Sequence, residues 1–297
     1  MNSNNIVISV SNLEHSYGST KVLNGLNFTI EKGKIFGLFG KNGAGKTTTI
    51  NILMGFLTPE KGECIIYGEK AASLSNENKR RIGLLHEGHI SYDFMTLEQT
   101  EKFYKDFFPN WESKTFAYFM EKLGLPKNRK IKHMSCGQRS QVALAVLMAQ
   151  GAETLILDDF SMGLDAGYRR LFLDHLNHFV KDNNKTILIT SHIVQDLERF
   201  VDEAVIINKG HVLLSAPLSS IKDGIYGYKL PLNIDIERYR NHKDILDISI
   251  TKEHYEIITK LAMEESCNLF KGVIKKEQII PYTVSFEDAF IALTGKY

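Results

Sequence analysis

Short apolar runs of strand length alternate with longer helix-like stretches up to about residue 217. Ile6–Val10 and Leu26–Ile30 each predict a strand, and Lys34–Phe39 is a short apolar run that leads into a glycine-rich turn. A helix is predicted from Lys46 to about Phe56. This alternation is typical of an α/β fold with a mainly parallel sheet. Two later apolar runs predict further buried strands, Thr154–Leu157 and Thr186–Ile189.

The stretch from about residue 88 to residue 150 has a helical pattern that is rich in aromatic residues. We interpret these aromatic side chains as core packing at helical spacing rather than as a cofactor site. Two candidate capping boxes mark helix starts, Thr96 with Gln99 and Ser135 with Gln138. The sequence therefore predicts a helical subdomain inserted in the α/β body.

The pattern changes again beyond Pro217, which places the main domain at residues 1–217 and a C-terminal accessory domain at residues 218–297. Gly224, Gly227 and Pro231 predict a linker. The remaining residues predict a small C-terminal α+β domain. Its elements are a strand at Leu246–Ile250, a helix at Lys252–Met263, and a last helix that Ser285 with Asp288 caps and that runs to Leu293.

Composition narrows the class of protein without naming a function. The 297 residues are 43% hydrophobic and 24% charged, as in ordinary globular proteins. The 36 Lys and Arg nearly balance the 35 Asp and Glu, so no broad charge favours nucleic acid. The three cysteines show neither metal-ligand spacing nor a disulfide pattern, which fits a reducing compartment.

The sequence predicts no segment that enters a membrane. The first residues lack the basic and apolar regions of a signal peptide. No stretch reaches the ~20 apolar residues that a spanning helix needs. We therefore expect a cytoplasmic chain, and any transport would need a separate membrane subunit.

A phosphate-binding loop is the strongest chemical signal in the chain. Gly40–Thr47 fits the pattern G-x-x-x-x-G-K-[ST] at every fixed position, between a predicted strand and a predicted helix. Glycines let the backbone curl so that its N–H groups surround a phosphate, while Lys46 reaches the β- and γ-phosphates and the Thr47 hydroxyl ligates Mg²⁺. The residues predicted to bind the nucleotide phosphates are Gly40, Asn42, Gly43, Ala44, Gly45, Lys46, Thr47 and Thr48.

Two adjacent carboxylates follow the apolar run Leu155–Leu157. Asp158 is placed to hold the Mg²⁺ shell, and Asp159 is placed to orient or deprotonate an attacking water. Neighbouring carboxylates at a buried strand end are costly without a cation or hydrogen bonds, which favours a functional role.

The nucleotide base is predicted to be adenine. The segment Asn208–His211 lacks the Asp of a guanine-reading N/T-K-x-D element. Tyr17 precedes the phosphate loop and offers a ring on which adenine could stack, although simple packing explains a lone Tyr equally well.

Taken in order along the chain, these segments resemble the nucleotide-binding domain of ABC transporters over about residues 5–217. The P-loop NTPase fold is therefore what the resemblance implies for the main domain. The matching segments are Tyr17 at the adenine-stacking aromatic, Glu87 at the Q-loop, Met134–Gln138 at the signature, Ser161–Asp165 at the D-loop and Thr190–His192 at the switch histidine.

The resemblance implies a mechanism that needs two such domains, closed head to tail around two ATP molecules. Ser135, Gly137 and Gln138 would then grip the γ-phosphate of the ATP that a second subunit holds, besides capping their own helix. His192 would contact the γ-phosphate and steady the water. Glu87 would join Thr47 and Asp158 around Mg²⁺. A transmembrane permease subunit would be the other partner.

Three residues depart from the family pattern. Asp159 replaces the usual glutamate and is one methylene shorter, and a misplacement of ~1 Å can cost on the order of 100-fold in rate. Cys136 adds a side chain where the signature has glycine, and Glu87 replaces glutamine. We expect strong ATP binding with slowed hydrolysis. A homodimer would carry all three changes in both sites, whereas a heterodimer would separate Asp159 from Cys136.

Short matches point to export. Ser285–Gly295 resembles the end of ABC-2-type export ATPases, and Phe108–Trp111 resembles a bacterial subgroup that exports or confers resistance to peptides and antibiotics. The expected location is the inner face of the cell membrane. Two alternatives stay open: a regulatory subunit that binds ATP with little hydrolysis, and an ABC-type ATP switch without transport. The single phosphate loop and the near-neutral charge disfavour the switch.

Overall fold

The computed structural model describes residues 5–86, 92–160, 164–183, 185–191 and 194–295. The chain divides into two compact units, Met1–Ser215 and Ala216–Tyr297. The functional roles predicted for the two domains stay predictions.

The first unit combines strands and helices, and it contains a strand at each of the five places where the sequence pattern predicts one. Its strands are β1 (Ile6–Tyr17), β2 (Thr20–Glu31), β3 (Ile35–Phe39), β4 (Lys61–Ile66), β5 (Glu69–Lys70), β6 (Ile82–Leu85), β7 (Thr154–Asp158), β8 (Thr186–Ser191), β9 (Glu203–Asn208) and β10 (His211–Pro217). Its helices are α1 (Lys46–Leu53), α2 (Asn76–Arg80), α3 (Leu97–Phe107), α4 (Ser113–Leu123), α5 (Cys136–Ala149) and α6 (Ala166–Asn183).

A mainly parallel sheet forms the centre of this unit. Among the described residues its strand order is β10-β9-β3-β8-β7-β6, and the pairs β3–β8, β3–β9, β7–β8 and β6–β7 are parallel. Every residue of β3, β7 and β8 is buried, as continuous apolar runs predict for strands covered on both faces. The register pairs Phe39 with Ser191 and Asp158 with Thr190, so the carboxyl ends of β3, β8 and β7 meet at one edge.

The strands of a second, antiparallel sheet precede and follow the phosphate loop in the sequence. Its order in the described chain is β2-β1-β4-β5. Strands β1 and β2 form a long hairpin that turns at Gly18, whose φ is 61°, with Tyr17 paired to Thr20 at the tip. The alternating buried side chains of these strands join one core cluster with Ile50 and Leu53 of α1.

The segment between β6 and β7 is helical, as the sequence predicts. The Thr96 hydroxyl accepts a hydrogen bond from the Gln99 N–H (3.2 Å), and the Gln99 side chain accepts one from the Thr96 N–H (2.9 Å), so this capping box is confirmed. Phe116 and Phe119 are buried, which fits core packing. Phe107 is 63% exposed, so core packing is wrong for that ring.

The described residues of the second unit form an antiparallel sheet and two short α-helices. Within the described residues the strand order is β12-β13-β11-β14. The predicted cap of the last helix is confirmed, because the Ser285 hydroxyl accepts from the Asp288 N–H at 3.0 Å. The elements are β11 (Tyr226–Pro231), β12 (Ile245–Ile250), β13 (His254–Thr259), β14 (Ile280–Tyr282), α7 (Met263–Leu269) and α8 (Phe286–Thr294).

Two predictions for the second unit are wrong. The predicted helix at Lys252–Met263 is instead strand β13 followed by a turn, because β11 and β12 pair with both of its edges and its β-branched residues fill the sheet. The predicted linker around Gly227 is instead strand β11. Glycine at position 227 lets the Tyr282 ring lie close to the backbone of β11, since a Cβ at this residue would lie 2.7 Å from that ring.

Candidate nucleotide-binding site

The phosphate loop connects β3 to α1 as its mechanism requires. Gly43 and Gly45 have φ values of 78° and 106°, which L side chains rarely adopt. A Cβ at Gly45 would also lie 2.5 Å from a Leu23 side-chain carbon, so only glycine fits at the start of α1. The first turn of α1 contains no acidic residue, which leaves its positive dipole end uncompensated for an anion.

The Lys46 ammonium lies inside the curve of this loop. Its Nζ donates hydrogen bonds to the backbone oxygens of Gly40 (2.7 Å) and Lys41 (3.1 Å), and the residue is buried. A buried cation that is held by two carbonyls of the same loop presents its charge where a bound phosphate would lie. Thr47 is half-buried and Thr48 is buried, and both belong to the first turn of α1.

Asp158 is a buried carboxylate with one oxygen bonded and one oxygen unpartnered. It ends β7 and is 1% exposed. Oδ1 accepts a hydrogen bond from the Thr190 hydroxyl at 2.7 Å. Oδ2 has no hydrogen-bond partner within the described part of the chain. A buried carboxylate oxygen is seldom left unpaired, and such an oxygen beside a phosphate loop is a hard ligand of the kind that Mg²⁺ takes.

Helix α1 and strand β7 bring the loop and this carboxylate together. α1 packs against β7, and the register of β3, β8 and β7 places their carboxyl ends at the same edge of the sheet. The oxygens of Thr47 and Asp158 therefore fit a site for a hard divalent cation next to the phosphates.

Asp159 has an unusual backbone conformation. Its φ is 45°, in the left-handed region that Asp and Asn enter more readily than other side chains with a Cβ. Its N–H donates to the Thr190 hydroxyl oxygen at 3.1 Å. Strained backbone of this kind often occurs at functional positions.

The signature segment forms the start of α5. The Ser135 hydroxyl accepts from the Gln138 N–H (3.2 Å), and the Gln138 side chain accepts from the Ser135 N–H (3.0 Å), so the predicted capping box is confirmed. Cys136 is exposed and Gly137 is half-buried at this helix N-terminus. No acidic residue lies in the first turn, which leaves the positive end of the helix open to an anion from outside the chain.

Tyr17 is a half-exposed ring at the tip of the β1–β2 hairpin. Its relative exposure is 52%, and its ring meets His15 edge to face at a centroid distance of 5.0 Å. The position is compatible with adenine stacking, which stays a prediction. Glu87, His192 and residues 161–163 of the D-loop segment lie outside the described residues.

Thr190 is a site residue whose role sequence reasoning missed. It was identified only as part of the segment leading to His192. A polar residue directly after the apolar run Ile187–Ile189 was the available signal, but the contact with Asp158 depends on the register of β7 and β8.

The fold and this site define a P-loop nucleotide-binding protein. The family model described as "ABC transporter" matches residues 23–161. The bacitracin transport ATP-binding protein BcrA of Bacillus licheniformis is 28% identical over 97% of this chain and 97% of its own length. The Nod factor export ATP-binding protein I of Burkholderia orbicola is 29% identical over 80% of this chain and 83% of its own.

Solved structures agree on the fold. The structure of an ATP-binding subunit of an ABC transporter has a TM-score of 0.65 at 24% identity, and it covers 73% of this chain and 92% of its own. The chain belongs to the ATP-binding proteins of the ABC transporter family, which are ATPases that work with transmembrane permease partners. The predicted family, fold and ATP binding are thereby confirmed. In the described part of the chain, no helix is both long and apolar enough to cross a membrane.

Proposed function

We propose that this chain binds Mg-ATP and hydrolyses it to power export through a separate transmembrane subunit at the cytoplasmic face of the membrane. One observation supports this chemistry above all. The Gly40–Thr47 loop and the buried Asp158 carboxylate, whose Oδ2 has no partner among the described residues, lie at the same edge of the sheet. Export is supported by relatives whose names state bacitracin transport and Nod factor export.

Binding follows from the geometry of the loop. Its backbone N–H groups and the N-terminus of α1 would surround the β- and γ-phosphates, and Lys46 would turn its ammonium from the loop carbonyls to the phosphate oxygens. Thr47 and Asp158 would hold Mg²⁺, with Glu87 as a predicted further ligand. Bound Mg²⁺ supplies neutralisation of charge on the phosphate oxygens.

Hydrolysis would use Asp159 as the group that orients or deprotonates water, together with His192. The shorter side chain places its carboxylate nearer the backbone than a glutamate would. Its left-handed φ of 45° redirects that side chain, so backbone conformation and side-chain length both set where the carboxylate lies. Slow turnover is the expected result.

The signature would act on a second subunit. Ser135, Gly137 and Gln138 form a partly exposed helix start whose positive dipole end has no acidic residue in its first turn. A hydroxyl that accepts one hydrogen bond keeps its own O–H as a donor, so Ser135 can cap α5 and still bind a phosphate oxygen. The second subunit would be another copy or a sister chain.

A groove in the first unit is the proposed permease contact. It has a volume of about 260 Å³, lies beside the end of β6, and has Leu85, His86, Tyr92 and Tyr104 among its lining residues. Aromatic rings continue outward from it, because Tyr92 packs on Phe103 (5.1 Å) and Phe103 packs on Phe107 (4.8 Å). An exposed aromatic patch at the rim of a groove is typical of a protein contact.

The test measures binding of a fluorescent ATP analogue with and without Mg²⁺, and then ATP turnover. Lys46→Ala should weaken binding by about 10- to 100-fold, because charged hydrogen bonds to phosphate are lost. Lys41→Ala is the matched control in the same loop, since its side chain occupies no fixed position of the motif. Equal affinities for wild type and Lys46→Ala would refute the proposal.

A second candidate is an ATP-binding regulatory subunit that hardly hydrolyses, favoured by Asp159 in its strained conformation. Single-turnover hydrolysis separates the two. A measurable burst of product per bound ATP supports the active subunit, and bound ATP that persists for hours supports the regulatory one.

A further inference from the structure

Thr190 occupies a position in which one hydroxyl contacts both carboxylate residues of the site. Its Oγ1 donates to Asp158 Oδ1 at 2.7 Å and accepts from the Asp159 N–H at 3.1 Å. The residue is completely buried, and it lies directly opposite Asp158 in the parallel pair of β7 and β8. These three groups form one hydrogen-bond series, which runs from the Asp159 N–H through the Thr190 O–H to the Asp158 carboxylate.

This hydrogen-bond series fixes the orientation of the Asp158 carboxylate. A carboxylate at the end of a strand can rotate about its χ2 angle, and that rotation exchanges its two oxygens. The hydrogen bond from Thr190 holds Oδ1 toward β8, and Oδ2 is the oxygen left without a partner in the described chain. The hydroxyl therefore selects which oxygen is presented to a cation.

The same hydroxyl anchors the strained residue that follows. Asp159 has a φ of 45°, and this conformation persists in a protein only when its surroundings hold it. Its backbone N–H donates a hydrogen bond to the Thr190 hydroxyl oxygen. A side chain on the neighbouring strand thus holds both the direction of one carboxylate and the backbone from which the other extends.

We propose that Thr190 is a positioning residue that orients Asp158 toward Mg²⁺ and fixes the backbone of Asp159 for the attack of water. The inference rests on the proposed Mg-ATP hydrolysis and adds a residue to it. Outer-shell hydrogen bonds to metal ligands commonly matter this much, since their loss costs about 10- to 100-fold in metal affinity or activity.

The chain offers a matched control for a buried threonine hydroxyl. Thr186 lies at the other end of β8, is buried to the same extent, and its hydroxyl accepts from the Gly33 N–H at 3.1 Å. Thr190→Val and Thr186→Val each remove one buried hydroxyl from the same strand at constant side-chain shape. Both variants should lose folding stability, Thr190→Val the more because it removes a hydrogen bond from a buried carboxylate, and only Thr190→Val should alter the site.

The experiment compares the affinity for a fluorescent ATP analogue in Mg²⁺ with that in EDTA, for wild type, both valine variants and Thr190→Ser. In wild type Mg²⁺ should tighten binding. In Thr190→Val, the gain in affinity that Mg²⁺ produces should be about tenfold smaller than in wild type. The affinity in EDTA should equal the wild-type value, because the phosphate loop is untouched. Turnover per bound ATP should fall by a similar factor or more, and Thr190→Ser should restore both within about twofold.

The outcomes separate this inference from the proposed function. If wild type binds no Mg-ATP, both are refuted. If wild type shows the gain in affinity from Mg²⁺ and Thr190→Val keeps it, with turnover equal to that of Thr186→Val, only the positioning role is refuted. If wild type binds Mg-ATP without measurable turnover, the gain in affinity from Mg²⁺ decides alone: its loss in Thr190→Val supports the positioning role, and its retention refutes that role.

Discussion

Arg81 and Glu153 form a two-point ion pair between the residues that precede β6 and β7. Nε of Arg81 donates to Oε1 of Glu153, and Nη2 donates to Oε2, both at 2.9 Å. The guanidinium carbon also lies 3.6 Å from the centroid of the Tyr67 ring. The hydrogen bonds from Arg81 hold the pKa of the Glu153 carboxyl below its usual value. The pair thus joins the starts of two neighbouring parallel strands, opposite the nucleotide edge of the sheet.

We expect Arg81→Met to lower the free energy of unfolding by about 1 kcal/mol at pH 7, a small value because both side chains are partly exposed to solvent. A carboxyl whose folded pKa is depressed stabilises the fold above its unfolded pKa and loses that contribution as pH falls through the folded pKa. The difference between wild type and Arg81→Met should therefore shrink toward pH 3. Urea unfolding at several pH values measures it.

The control for this prediction is Arg240→Met. Arg240 makes the same two-point contact with Glu237, at 2.8 and 2.6 Å, but on a more exposed surface. Its removal should leave the urea midpoint unchanged. A pH-independent loss in Arg81→Met would assign its effect to the Tyr67 contact and the hydrogen bond to Asn78 instead of the ion pair.

Lengthening the side chain at Asp159 should speed hydrolysis. A carboxylate misplaced by ~1 Å can cost on the order of 100-fold, which is about 2.7 kcal/mol of barrier. A non-glycine residue in the left-handed region costs about 1–2 kcal/mol, and aspartate already carries part of that cost. The gain in reach is the larger effect, so Asp159→Glu should raise single-turnover hydrolysis by about tenfold or more and slightly lower stability.

The comparison for that prediction is Asp159→Asn. It keeps the size and the tolerance of the left-handed backbone but removes the base, and should reduce turnover by at least about 100-fold with ATP affinity retained. An unchanged or lower rate in Asp159→Glu would show that side-chain length does not limit the reaction.

Cys136 should be the first cysteine to react with N-ethylmaleimide. It is exposed at the start of α5, whereas Cys64 is buried and burial raises the pKa of its thiol to about 12, which suppresses the reactive thiolate. An adduct on Cys136 should block hydrolysis but not ATP binding, because the phosphate loop of the same chain lies elsewhere. Mass spectrometry and turnover measure the two effects.

Cys136→Gly serves as the control, since it should resist the reagent and keep its turnover after treatment. Modified wild-type protein that hydrolyses ATP at the untreated rate would argue against contact between the signature and a partner's nucleotide.

Local patterns predicted the parts of the site that a single segment builds. The loop Gly40–Thr47 needs only its own glycines and the adjoining strand and helix, so its sequence was sufficient. The bond between Thr190 and Asp158 depends on how β7 and β8 pair, which no pattern within either strand specifies.

Strand β13 shows the same limit for the fold. Its residues 254–259 lie within a stretch whose local pattern favours a helix, but pairing with strands on both sides makes the extended form more stable. Both partner strands lie outside the segment, β12 just before it and β11 further back in the chain, so their contribution could not be weighed from the segment alone.

The aromatic patch beside the groove should matter for coupling to the permease and not for ATP chemistry. Phe107 is 63% exposed and packs on Phe103, at the outer end of the ring series that begins at Tyr92. Phe107→Ser should leave nucleotide affinity and basal turnover of the isolated subunit within about twofold of wild type, because exposed substitutions seldom change stability. In the transporter reconstituted in vesicles, it should weaken binding to the permease and reduce transport, since interface aromatics commonly contribute more than about 1 kcal/mol. Phe56→Ser is the matched control, because Phe56 is 65% exposed but does not belong to this series of packed rings, and the variant should transport normally. Equal transport by both variants would place the permease contact on another surface.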